Sequence, residues 1–294
     1  MTEVIIVGCG LSGIVLSRLL KKRGVESIIL EKSKGVGGRI ATRRIEDLGF
    51  DHGAPYLRAD QALLDLLAEA GLETKSAVDP NGIYLRGGLN QFTKALSVDL
   101  TIHREKKVLK LSGQEVGWSV ETEDGATYAG KKVILSAPLP QSLELLQRSG
   151  VPFHPKLSAV AYHKAILALV IAEASLFDRY QNSSVATVLP MEGRGLHPKG
   201  YVVTATEEFS EKNFDLPDLE LLEKILPPAS AHAVSHAEVK KWRYSRPVAS
   251  LEDSFHECDG SLFLCGDAFL SPDATGALGS ARALAERLTR SLGS

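Results

Sequence analysis

Val4-Ile5-Ile6-Val7 runs directly into Gly8-Cys9-Gly10-Leu11-Ser12-Gly13. An apolar strand, a glycine turn and a helix in that order form a grip for the pyrophosphate of a dinucleotide. Gly8 permits the tight turn, Gly10 leaves the backbone bare where phosphate oxygens approach, and Gly13 lets the helix lie close to the strand. Leu11 and Ser12 open that helix, where free N–H groups and the positive dipole end favour an anion. A second strand, Ser27-Ile28-Ile29-Leu30, ends at Glu31. An acid at that interval after the glycines accepts hydrogen bonds from an adenosine ribose, and its charge disfavours the 2′-phosphate of NADP. The bland alternative is an ordinary βαβ unit with an exposed glutamate; the full strand–turn–helix–acid context weighs against it.

FAD and NAD compete for such a turn, and three further features favour FAD. The loop after Glu31 and Lys32 is Gly35-Val36-Gly37-Gly38-Arg39, bare backbone with a guanidinium suited to a phosphate. Val108 lies in a predicted strand whose backbone groups suit an adenine edge. Gly266-Asp267 follows a buried-type strand: the aspartate suits a ribityl hydroxyl, and the amides of Gly276 and Ala277 suit the flavin ring. Taken singly, Arg39 reads as a surface salt bridge and Asp267 as a cap or turn former. Their joint occurrence at opposite ends of the chain argues for FAD.

These residues need strands and helices to hold them. Helical spacing covers 11–23, 61–70, 89–98, 139–147, 218–226 and 276–292. Strand patterns cover 107–111, 117–121, 126–129, 132–137, 165–171, 185–189, 201–206, 233–240 and 261–264. The expected class is α/β: a Rossmann-type domain from 1–75, 101–140 and 255–294, with a mixed α+β substrate domain from 76–100 and 141–254.

Composition sets outer bounds. The 294 residues are 44% hydrophobic and 24% charged, with net charge −2. That is an ordinary globular balance that favours no polyanion, so no nucleic-acid partner is expected. No apolar run reaches the ~20 residues of a membrane span, and with the first strand starting near residue 3 no signal peptide is expected. Three scattered cysteines suit neither a disulfide framework nor a zinc site, which makes the cytoplasm the expected location. Cys9 reads as a small residue of the turn. His232 and His236 are four apart, but 233–240 reads as a strand and no third ligand is near, so no metal is expected. His154, His163, His197 and His256 show no convincing partners in the sequence.

The run Gly37-Gly38-Arg39-Ile40-Ala41-Thr42-Arg43-Arg44, with Phe50-Asp51-His52-Gly53-Ala54-Pro55-Tyr56, resembles the renalase-like branch of the monoamine-oxidase-like flavoproteins. Lys241-Trp242-Arg243-Tyr244-Ser245-Arg246-Pro247 resembles a Trp-Arg-Tyr segment of that branch, and Phe263-Leu264-Cys265-Gly266-Asp267 with Gly276-Ala277 its flavin-closing segment. Pro55 and Gly279-Ser280-Ala281 depart from its pattern. The resemblance implies noncovalent FAD, contacts from Gly53 and Ala54, and a para-hydroxybenzoate-hydroxylase-like substrate domain. It also implies oxidation of dihydronicotinamide-type substrates with electrons passed to dioxygen.

A flavin oxidase needs little side-chain chemistry, because the cofactor accepts the hydride. Trp242 and Tyr244 alternate on a strand-like segment and suit stacking on a planar or cationic substrate; core packing is the competing role. His52 and Tyr56 follow the loop expected near the flavin, and His52 could bond to cofactor or substrate, with a structural histidine as the alternative. Four functions stay open at this point: a dihydronicotinamide-type oxidase, an amine oxidase of the same fold, an NAD-dependent dehydrogenase, and a non-catalytic FAD-binding protein.

Overall fold

The computed structural model describes residues 1–45, 48–76, 82–177, 180–192, 199–228 and 233–290. His197 and His232, and the end of the helix expected to reach residue 292, lie outside them.

Strands Thr2–Val7, Ser27–Leu30, Thr127–Leu135 and Leu262–Leu264 each carry a short unbroken apolar run (4–7, 28–30, 133–135 and 262–264), as central parallel strands do. They form the parallel centre of the main sheet, and Thr101–His103 extends it beyond Ser27–Leu30. Register decides where their ends fall. Val7 pairs with Leu30 and with Leu135, and Leu135 pairs with Leu264. Four strands therefore finish level, and the segments after them (Gly8, Glu31, Ser136 and Cys265) emerge along one edge. Ligands of open α/β sheets bind at such carboxyl ends.

Helix Leu11–Lys22 buries Ile14, Val15, Leu16 and Leu20 and lies against the last helix, Ala274–Arg290. Ala277, Ala281 and Ala285 belong to the same apolar core as Ile14, and their short side chains permit a close approach.

A second sheet runs Val185–Pro190, Gly200–Ala205, Tyr162–Ala172, Val234–Pro247, all antiparallel. Strand alternation sorts its side chains. Ile166, Ala168 and Val170 point into the core beneath helices Glu207–Asn213 and Asp218–Ile225. Leu167, Leu169 and Val202 face the other way, onto Phe50.

Two expectations change. The strands read at 126–129 and 132–137 are one strand, Thr127–Leu135. Gly130 is the crossing point, paired antiparallel with Trp118 and parallel with Thr2, and a Cβ there would sit 2.6 Å from the Ile5 side chain. The strand read at 233–240 runs on to Pro247. Charged residues dilute its apolar alternation, yet Lys241 pairs with Asp218 at 3.2 Å and Arg246 with Glu207. Among the described residues no helix is long and apolar enough to cross a membrane, and no group of three or more His, Cys, Asp or Glu could hold a metal ion.

Candidate active site

The glycine turn has the geometry its spacing implies. Gly8 has φ +110°, a backbone that side chains rarely tolerate. A Cβ on Gly13 would lie 2.2 Å from the Gly8 carbonyl oxygen, so this helix can rest on the turn only through a glycine. Gly10 differs: a Cβ there meets nothing within 4 Å. Bare backbone faces open space at the start of a helix whose first amides have no intrahelical acceptors. Glu31 is buried at the neighbouring strand end, where Oε2 accepts the Cys9 N–H at 2.8 Å and Oε1 the Ser33 N–H at 2.7 Å. Further lone pairs on both oxygens remain for a ligand hydroxyl. Burial, with help from the Glu31 charge, pushes the Cys9 thiol up to about 12.

The second glycine loop folds back onto the first. The Gly37 amide donates to the Cys9 carbonyl at 2.8 Å, and Gly38 lies against the Gly10 backbone. Arg39 then reaches across the molecule. Its Nη1 lies 2.6 Å from Asp267 Oδ2 and donates to the Ser245 carbonyl at 3.1 Å and the Tyr244 carbonyl at 3.4 Å. The residue expected at a phosphate and the one expected at a ribityl hydroxyl, from opposite ends of the chain, thus meet each other. The surface reading of Arg39 does not hold, since the side chain is only 26% exposed. Burial opposes its charge, but the Asp267 carboxylate prevails and the guanidinium pKa is raised.

Tyr162 completes this junction, and sequence reasoning missed it. Its hydroxyl donates to Asp267 Oδ1 at 3.1 Å and accepts the Leu139 N–H at 3.3 Å. Burial first, and the Asp267 charge second, raise the phenol pKa, so it stays a donor. No local pattern marks Tyr162; it is one aromatic in a strand-like run.

Most of these residues line one cavity of about 1370 Å³, with Gly13 and Tyr162 behind its surface. A pocket for a drug-sized ligand has roughly 300–1,000 Å³, so this space suits a dinucleotide with a second, smaller molecule. Gly8, Gly10, Leu11, Ser12, Glu31, Lys32, Gly38, Arg39 and Val108 line one part of it. Gly53, Ala54, Tyr56, Trp242, Tyr244, Asp267 and Ala277 line the rest, with Leu167 and Val202 from the second sheet. His52, Gly266 and Gly276 are not on this surface.

The departures have physical causes. The His52 ring stacks against Trp242, centroids 5.5 Å apart and planes 17° apart, and the indole N–H donates to the His52 carbonyl at 2.8 Å. Burial, helped by the Lys240 charge, lowers its pKa to about 4, so the ring is neutral and backs the Trp242 wall. Gly276 and Ala277 do not present free amides: the first donates to Asp273 Oδ1 and the second to the Asp273 carbonyl, both at 3.1 Å. Asp273 caps the last helix and takes those donors for itself. Gly266, at φ +143°, donates instead to Ser280 Oγ at 3.1 Å. His163 has a partner after all, Glu207 at 3.4 Å, and His154 meets His256 edge-on at 6.5 Å. Tyr244 packs edge-on against Tyr162 at 5.9 Å.

The comparisons with known proteins agree with this architecture. A family model described as an NAD(P)-binding Rossmann-like domain matches residues 6–70. Putrescine oxidase bound to putrescine superposes with a TM-score of 0.70 at 14% identity, covering 99% of this chain and 98% of that one. A variant of the same enzyme redesigned in its cofactor site gives 0.74 at 15% identity, with 99% and 98% covered. This chain therefore shares the fold of putrescine oxidase. Among curated proteins, the flavin-containing amine oxidase A of Sus scrofa is 38% identical over 76 residues, 25% of this chain and 14% of that protein. The match thus spans about a seventh of that relative's length.

Proposed function

We propose that this chain is an FAD-dependent oxidoreductase taking hydride from a small reduced substrate, of the dihydronicotinamide type, with dioxygen as acceptor. One observation carries the reading: the glycine turn and the Trp242–Tyr244 strand line a single cavity. The open space at Gly10 passes the test for a bound pyrophosphate, since a Cβ would project into it without meeting protein. Glu31 would take the adenosine ribose, Val108 the adenine edge, and Asp267 a ribityl hydroxyl. FAD held there supplies a two-electron acceptor, which the chain's side chains lack. The protein orients the substrate, excludes water and fixes the electrostatics. In this assignment the four-stranded sheet is the substrate domain and the parallel sheet the cofactor domain.

The cavity's charges favour a neutral donor over an amine. Each lining carboxylate already has a partner. Asp51 accepts from Thr42 Oγ1 at 2.6 Å and the Leu89 N–H at 3.0 Å. Glu207 holds Arg246, Glu144 holds Arg148 at 2.7 Å, and Asp267 holds Arg39. Asp273 accepts from its helix's own first turn, and Glu31 from two amides. None is left bare to receive an ammonium; the Trp242 wall suits a planar dihydropyridine and, by cation–π contact, a cation as well, so the carboxylates alone separate the two. The amine-oxidase reading draws support from the Sus scrofa relative instead.

Anaerobic reduction decides between them. FAD-loaded protein should bleach with dihydronicotinamide isomers faster than free flavin does, and hardly at all with a panel of primary amines. Bleaching by amines alone would reverse the substrate assignment, and protein that takes up no FAD on reconstitution would end the flavoenzyme reading.

A further inference from the structure

Arg39 and Asp267 are 228 residues apart in the chain, and a third segment fixes their meeting. Tyr162 belongs to the first long strand of the second sheet, Tyr162–Ala172. Its hydroxyl bridges two elements of the first: it donates to Asp267 after the Leu262–Leu264 strand, and it accepts from Leu139 at the start of helix Leu139–Arg148. The Arg39 guanidinium lies 5.8 Å from the Tyr162 ring centroid, within reach of a cation–π contact. The Asp267 carboxylate is therefore held from both sides, Oδ2 by Arg39 and Oδ1 by Tyr162. With a side chain only 9% exposed, it has little freedom beyond those two bonds. Arg39 and Asp267 line the main cavity, whereas Tyr162 stands behind them against a small void next to Cys265.

We infer that Tyr162 is a positioning residue: from the second sheet, its hydroxyl aims the Asp267 carboxylate into the cofactor cavity. The inference rests on the FAD reading above. It gives the second sheet a part in holding the cofactor as well as in shaping the substrate wall. With the hydroxyl gone, Arg39 is the main anchor left to Asp267, and the carboxylate turns toward it. A hydrogen bond to a charged group is among the stronger kinds in proteins, and a misplaced carboxylate loses the ligand contact it was aimed for.

The test is a double-mutant cycle on FAD binding. FAD dissociation constants are measured by flavin-fluorescence titration of the apoprotein for wild type, Tyr162→Phe, Asp267→Ala and the double variant. Tyr162→Phe should weaken FAD by about tenfold. In the Asp267→Ala background, which has no side-chain acceptor for the Tyr162 hydroxyl, the same change should have less than about a twofold effect. A purely structural tyrosine would weaken binding equally in both backgrounds, and that result overturns the inference, as does an unchanged affinity in Tyr162→Phe. Circular dichroism of the apo forms reports the fold. A Tyr162→Phe chain that cannot fold would also overturn it, by making the hydroxyl a folding device. Wild-type protein that binds no FAD would instead overturn the flavoenzyme reading on which the cycle depends.

Discussion

Two glycines in one turn should respond in opposite ways to the same added methyl group. In Gly13→Ala the new Cβ starts 2.2 Å from the Gly8 carbonyl oxygen and 2.8 Å from Ser136 Oγ. To reach even a 3.0 Å contact the first helix must retreat by roughly 0.8 Å, and the nearer obstacle is backbone that cannot rotate away. Overpacking of this kind costs about 1–3 kcal/mol or more, because the helix also carries Ile14 and Leu16 in the core. Gly10→Ala meets no atom within 4 Å, and its φ of −79° suits alanine. Its apo stability should stay within about 1 kcal/mol of wild type, as the gain from a stiffer unfolded chain offsets a poorer N-cap. The same methyl projects into the space assigned to the pyrophosphate, so FAD affinity should fall at least about tenfold, or 1.4 kcal/mol. Urea unfolding of the apo forms and FAD titration read the two effects separately. An apo stability loss in Gly10→Ala equal to that of Gly13→Ala would refute the geometry, and undiminished FAD binding by Gly10→Ala would refute the placement of the phosphates.

Arg39→Ala strands the Asp267 carboxylate and should cost about 3–5 kcal/mol in urea unfolding, besides weakening FAD retention; a loss under 1 kcal/mol would return Arg39 to the surface. His52 titrates near 4 when folded and near 6.5 when unfolded, so between those values the unfolded chain binds more protons. Its contribution, at most about 3 kcal/mol, is present above pH 6.5 and lost as pH falls toward 4. His52→Phe keeps a ring against Trp242 and should flatten that slope in unfolding midpoints taken from pH 4.5 to 7.5, whereas parallel profiles would contradict a neutral buried imidazole. Burial pushes the Cys9 and Cys265 thiols up to about 12 and Cys258 to about 11. Thiol reagents at pH 8 should therefore react slowly with the folded protein and readily with all three cysteines in denaturant; prompt labelling of Cys9 in the folded form would show that the turn opens.

Much of the first turn's geometry was legible in the sequence because its determinants are local. Strand, glycine turn, helix and Glu31 lie within one βαβ unit, and each residue's task follows from its neighbours. Apolar period found the strands of the parallel sheet, where burial on both faces leaves uninterrupted runs. Period failed at Gly130, where a glycine interrupts the pattern of a strand that changes partners, and after Lys240, where ion pairs take the place of apolar alternation.

The chain itself determines that a strand, a glycine turn and a helix follow one another, with glycines where Gly8 and Gly13 need them and bare backbone at Gly10. Only the tertiary structure decides what stands opposite. Level strand ends bring Arg39 to Asp267, a strand from the other sheet supplies Tyr162, and the same sheet turns Trp242 toward the cavity with His52 behind it. The reason is physical: strand register and sheet packing set which distant side chains meet, and no local spacing encodes that meeting.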